Sequence, residues 1–210
     1  MTSDHLDDRL NKVYRASDLQ RLEEAYDAWA DSYDEEVSRL GYLLRSVSTG
    51  YIGRFIGPDE TVLDAGAGTG LIGWYLSFMG YRNITAIDLS EKMLDFARAK
   101  DCYREARRMV LGEPLDFETD TFDSAYAVGV FTEGHAPPES FDEIVRVVRP
   151  GGRFLFSIRD DVHRDMGYRE KHQELEAQSR LSLLATSPTF QPYVTVRPDI
   201  QHRVFVFQVN

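Results

Sequence analysis

The segment Val62–Gly70, VLDAGAGTG, ends an apolar run in an acid and then places glycines at every second position: Gly66, Gly68 and Gly70. Few folds use such a segment. A strand that delivers its chain into a glycine-rich turn and then a helix sets backbone amides and the positive helix end at the carboxyl edge of a sheet. With no Cβ in the way, a ligand can approach the main chain there.

The chain beyond this point follows the same plan. From residue 61 onward, apolar runs at 61–65, 84–88, 108–111, 123–130, 153–159, 181–186 and 203–209 read as strands. Between them, 70–79, 91–100, 139–148 and 165–180 read as helices, the last, rich in acids and bases, facing solvent. This alternation predicts an α/β fold: a doubly wound, Rossmann-like, seven-stranded and mostly parallel sheet with an antiparallel C-terminal strand. The segment 187–199 reads as a loop between the last two strands, so the 210 residues form one domain.

Residues 1–57 read as helical, with Ser17 and Gln20 spaced as a capping box. Leu19, Leu22, Tyr26, Trp29 and Tyr33 recur every three or four residues and share one face. That face either docks on the core or forms a lid over a ligand.

A formal net charge of −11 speaks against a nucleic-acid partner, which would want a clustered basic face. The local exception, Lys100, Arg104, Arg107 and Arg108, reads as a solvated helix end. One cysteine, Cys102, allows no intrachain disulfide, and no His/Cys/Asp spacing suggests a metal site. No apolar run approaches the ~18 residues that would span a membrane. The expectation is a cytoplasmic protein.

A second acid, Asp88, closes the next strand at ITAID, where it can accept hydrogen bonds from both hydroxyls of a ribose. The ligand expected is therefore a nucleoside derivative. A dinucleotide fingerprint runs G-x-G-x-x-G, whereas here the order is G-x-G-x-G with an acid two positions before the first glycine. An acid in that place repels a pyrophosphate and welcomes an ammonium, which disfavours the alternative of an NAD-dependent oxidoreductase.

With these residues in view, the chain resembles the class I S-adenosylmethionine-dependent methyltransferases. VLDAGAGTG matches the first motif of that family, AIDLSEKMLDFARAK the second, and FDEIVRVVRPGGRFLFSIR the helix, Pro-Gly-Gly turn and strand after the fourth. YDAWADSYD, GVFTEGHAPPESFDEIVRVVRPGG, YREKHQELEA and RVFVFQV are similar to the small methyltransferase-like group named for the Williams–Beuren syndrome chromosome region, and its bacterial relatives. The resemblance implies S-adenosylmethionine as cofactor and S-adenosylhomocysteine as product. Asp64 would face the methionine end, Gly66, Gly68 and Gly70 would pass beneath it, Asp88 would hold the ribose, and Leu89 and Met93 would pack on adenine. Glu113 stands where the family often has an acid near the adenine amino group, with Pro114 and Leu115 beside it. Val128 occupies a place where many relatives carry a polar residue. Tyr33 and Trp29 would close the lid over the cofactor.

For the transfer step, Glu133 and His135 in FTEGH lie just beyond the fourth strand, and His has the titration range of a general base. The alternative for His135 is a structural loop residue; Asp160-Asp161 reads as a solvated loop, and His163, His172 and His202 as isolated and exposed. The function expected is methyl transfer to a small-molecule acceptor, without a nucleic-acid or membrane partner. A cofactor-binding regulatory or interaction protein on the same fold is the alternative.

Overall fold

A computed structural model describes residues 9, 12–13, 18–39, 41–193 and 199–210. From residue 19 onward, the described residues form helices α1 (Leu19–Arg39) and α2 (Leu44–Phe55), and then strand β1 (Val62–Ala65). Next come α3 (Leu71–Phe78), β2 (Ile84–Asp88), α4 (Glu91–Ala99), β3 (Glu105–Arg108) and β4 (Phe122–Phe131). The remainder is α5 (Ser140–Val147), β5 (Val148–Arg159), α6 (Asp160–Asp165), α7 (Tyr168–Ala177), β6 (Leu181–Thr186) and β7 (His202–Val209).

The strands form one seven-stranded sheet in the order β3-β2-β1-β4-β5-β7-β6. β1 to β5 pair in parallel, and β7 runs antiparallel to both β5 and β6. The strand order reverses between β2-β1 and β4-β5, which opens a crevice at the carboxyl ends of β1 and β4.

The central strands are mostly apolar in their middle portions, where both faces are covered. Val62, Leu155, Val204 and Val206 meet Ile52 and Ile56 from the α2 side and Ile72 and Leu76 of α3. Their neighbours Leu63, Phe154, Phe156, Phe205 and Phe207 turn the other way, against Phe141, Ile144, Tyr168 and Leu175. A third cluster lies apart: Leu22, Trp29 and Val37 of α1 join Val13, Tyr193 and Ile200.

Three expectations are corrected here. The third strand is Glu105–Arg108, not 108–111: at the sheet edge it carries only half-buried or exposed side chains, so it has no apolar signature, while Met109–Leu111 line a cavity. Segment 165–180 is not one solvent-facing helix. Gly167, at φ +85°, separates α6 from α7, and α7 buries Tyr168, His172 and Leu175. The helical N-terminal region also divides, since α2 packs on the sheet and only α1 lies across the crevice. Ser17 lies outside the described residues; the backbone amide of Arg21 donates to Asp18 Oδ1 at 2.9 Å, which caps α1. In 187–199, Phe190 bridges to His202 and Tyr193 to Tyr42, and 194–198 lie outside the described residues. Among the described residues no helix is long and apolar enough to cross a membrane.

Candidate functional site

The glycine turn is built around two acids. Gly66, Gly68 and Gly70 all take positive φ, and Gly70 directly precedes α3. An added Cβ on Gly66 would lie 2.3 Å from Val130, whereas one on Gly68 would meet nothing within 4 Å. Gly66 is thus required by packing against β4, and Gly68 faces open space. Gly70 and Gly73 serve a third purpose: a Cβ on either would strike the Tyr103 ring, at 2.7 and 2.3 Å.

Asp88, at the end of β2, reaches across to this turn. Its Oδ2 accepts the Gly68 amide at 2.8 Å and its Oδ1 the Ser90 amide at 2.9 Å. Burial raises its pKa against those stabilising bonds. Asp64, only 2% exposed, accepts the Tyr103 hydroxyl at 2.6 Å and the Tyr126 hydroxyl at 2.9 Å, both on Oδ2. Burial pushes its carboxyl up to about 7, with the two tyrosine hydrogen bonds pulling the other way.

These acids open onto a cavity at the topological switch point. Asp64, Gly66, Gly68, Asp88, Leu89, Met93 and Val128 line it, together with Met109, Val110 and Leu111. The α1 side contributes Leu19, Leu22, Tyr26 and Tyr33, and His135 closes one wall. Glu113, Pro114 and Leu115 do not line the cavity: the chain turns at Gly112, φ +102°, leaving Glu113 and Pro114 exposed and Leu115 in the core. Gly70 is likewise covered by Tyr103 and Ala97. Trp29 sits behind Tyr33, edge to face at 4.8 Å, and donates from Nε1 to Glu36 at 2.8 Å. Glu133 is exposed and outside the lining, although its carbonyl oxygen holds His135 Nδ1 at 2.9 Å.

That last contact fixes the His135 tautomer. A carbonyl only accepts, so Nδ1 carries the proton, and Nε2 accepts the Tyr26 hydroxyl at 2.7 Å. Burial holds the imidazole neutral down to about 4. His135 therefore joins the loop after β4 to α1.

Arg45 also lines the cavity and carries no motif. It is 9% exposed, its guanidinium lies 5.4 Å from the Tyr33 ring centre and 5.8 Å from that of Tyr42, and it has no acidic partner among the described residues. An apolar helix start gave no hint of it, because a lone Arg on a helix normally faces water.

The remaining polar candidates resolve into pairs. Asp160 is bound to Arg203 and Asp161 to Arg159. His163 and His172 are not isolated, since their Nε2 atoms lie 2.9 Å apart and His172 Nδ1 is 2.8 Å from Glu176. His202, expected exposed, is 6% exposed. The basic cluster is not merely solvated: Arg108 pairs with Glu23 and Lys100 with Asp34, both on α1.

With the site described, the relatives of the chain can be compared. Residues 63–156 match the family described as methyltransferase domain. The chain is 30% identical over 155 residues to methyltransferase-like protein 27 of Homo sapiens, covering 72% of this chain and 63% of that protein. It is 31% identical over 157 residues to a phosphatidylethanolamine N-methyltransferase of Cereibacter sphaeroides, covering 71% of this chain and 72% of that one. The fold is that of a putative methyltransferase solved in complex with the Haloferax volcanii Trm112 methyltransferase activator, at a TM-score of 0.68 and 18% identity, covering 88% and 97%. The chain spans a little under two thirds of the human relative. From the ordered motifs, the switch-point cavity and a relative 31% identical that aligns with most of the chain, the chain belongs to the class I S-adenosylmethionine-dependent methyltransferases.

Proposed function

We propose that this protein transfers the methyl group of S-adenosylmethionine to a small-molecule acceptor. The observation that carries the reading is the charge pattern of one cavity, which holds the buried acid Asp64, the half-buried acid Asp88 and the buried cation Arg45, which has no acidic partner among the described residues. The cofactor bears a carboxylate, an ammonium, a ribose diol and an adenine. Arg45 matches the carboxylate, Asp64 the ammonium and Asp88 the diol, while Leu89, Met93 and Leu111 offer an apolar surface to the base. The open space above Gly68 is what a ligand lying on the backbone needs.

The sulfonium supplies an already activated methyl group: an acceptor lone pair forms the new bond to carbon while the carbon–sulfur pair stays on sulfur. What remains for the chain is to hold both reactants in line and keep water away. The aromatic rings of Tyr26, Tyr33 and Tyr42 along the cavity suit both tasks. The reading gives no role to nucleic acid, because Lys100 and Arg108 of the basic cluster are already paired with acids of α1.

Calorimetry with S-adenosylhomocysteine and with NAD tests the cofactor half. Binding of the first alone is expected; binding of NAD alone overturns it. Formation of S-adenosylhomocysteine from S-adenosylmethionine across a panel of small metabolites tests the transfer half.

A further inference from the structure

A second, smaller cavity adjoins the first across Tyr26, Tyr33, Tyr42 and Gly129, and lies at the ends of β4, β5 and β7. Its floor is polar. Thr132, 9% exposed, and His202, 6% exposed, both line it, and their Thr132 Oγ1 and His202 Nδ1 atoms are buried with no hydrogen-bond partner among the described residues. A buried polar atom left unpaired costs about 1–3 kcal/mol, so two in one cavity mark a place where a partner is missing.

The charges here are already matched. Arg159 lines the same cavity and is bound by Asp161 at 2.5 Å, its Nε a further 3.0 Å from the other carboxylate oxygen. Burial, with the Arg159 charge second, drives the His202 imidazole down to about 3, so it stays neutral. The walls are rings, Trp29, Phe131 and Tyr193 among them. A site with aromatic walls, two neutral hydrogen-bonding atoms and no unmatched charge selects an uncharged ring with a polar edge.

Resting on the methyltransferase reading, we infer that this second cavity is the acceptor subsite, that Thr132 and His202 hydrogen-bond the acceptor, and that the acceptor is a neutral aromatic small molecule bearing a hydroxyl or comparable polar group. The cofactor would then fill the first cavity and the acceptor the second, meeting where Tyr26, Tyr33 and Gly129 are shared.

The test uses the full chain, 15N-labelled and saturated with S-adenosylhomocysteine, titrated with p-cresol, toluene and 4-methylbenzoate. p-Cresol should shift the amides of Phe131, Thr132 and His202, toluene should bind roughly 30-fold more weakly, as two net hydrogen bonds predict, and 4-methylbenzoate weakest. Thr132→Val should cost p-cresol about fivefold, leave toluene and S-adenosylhomocysteine unchanged, and leave the melting temperature level or higher, because an unpaired hydroxyl is removed. A purely structural hydroxyl would instead lower the melting temperature and spare p-cresol. If Thr132→Val does not fold, His202→Phe carries the same comparison. Tightest binding by 4-methylbenzoate, or p-cresol shifts confined to other residues, overturns the inference. Should S-adenosylhomocysteine itself shift no amide of the glycine turn, it is the methyltransferase reading that fails; if it does and p-cresol does not bind, this inference alone fails.

Discussion

The Tyr103 hydroxyl donates to Asp64 across 2.6 Å, and its ring lies in the hollow left by Gly70 and Gly73. Two of the glycines around the turn thus make room for a side chain of the protein, and that side chain fixes the acid at the end of β1. A second hydroxyl, from Tyr126, holds the same carboxylate oxygen. Such an acid is oriented but costly to ionise, and this has a measurable consequence.

Asp64 is held near 7 in the fold against 3.8 ordinarily, so between those values the folded protein binds more protons than the unfolded one. Its contribution to stability is fully present below the ordinary value and is lost as pH rises through about 7, by up to about 4 kcal/mol. Asp64→Asn should remove this slope and melt higher than the parent at pH 8, while binding S-adenosylhomocysteine more weakly. An ammonium beside the carboxylate favours its charged form, so binding near pH 6 should release a proton, seen by calorimetry in buffers of different ionisation enthalpy. Parallel melting curves for parent and variant from about pH 4 to about pH 8 would exclude an elevated Asp64.

Asp88 anchors the turn through Gly68 and the start of α4 through Ser90, yet still lines the cavity. Loss of its hydrogen bonds to ligand should cost on the order of 1.5–3 kcal/mol, roughly 10- to 150-fold in S-adenosylhomocysteine affinity for Asp88→Ala. A folded variant that binds as the parent does would remove Asp88 from the ribose site.

Much of this was visible in the sequence for a physical reason. β1 and β2 are buried on both faces, so they read as apolar runs, and the acids ending them stand out against that background. β3 is an edge strand of Glu105, Ala106, Arg107 and Arg108, and nothing in its composition separates it from a loop. Arg45 and His202 belong to no motif, and Thr132 lies within FTEGH without standing out there, because each acquires its meaning from residues distant in the chain. The signal that could have found Thr132 and His202 is positional: both flank strand ends on the carboxyl edge of the parallel strands, where ligands of this fold bind.

His135 was expected to act as a base or to support its loop. Its Nε2 is taken by Tyr26, and its imidazole protonates only near 4, far below its ordinary 6.5. Both facts favour a positioning role that ties α1 to the β4 loop. His135→Ala and Tyr26→Phe should therefore hasten S-adenosylhomocysteine release by similar factors, and His135→Ala should remove no limb near 6.5 from the pH profile of turnover. A loss of turnover of about 10²- to 10⁴-fold in His135→Ala with unchanged release would restore the general base.

The lid expected of residues 1–57 narrows to α1, because α2 is packed on the sheet and gives the cavity only Leu44 and Arg45 at its start. One face of α1 presents Leu22, Tyr26 and Tyr33 to the cavity; another carries acids at Glu23, Asp27, Asp31 and Asp34. Each acid has a partner on the core: Arg108, the Ser90 hydroxyl, Lys92 and Lys100 respectively. Several of these pairs are partly exposed, so each is weak and screened by salt. A helix held by such pairs and a small apolar cluster comes from the less stable end of the structure and can open for ligand exchange. Amides of 18–39 should exchange quickly in the free protein, faster still when salt rises from roughly 0.05 to about 0.5 M, and slow on adding S-adenosylhomocysteine. Those of α2, β1 and β2 should stay protected throughout. Protection of α1 equal to that of the sheet without ligand would make the helix ordinary core and end the lid reading.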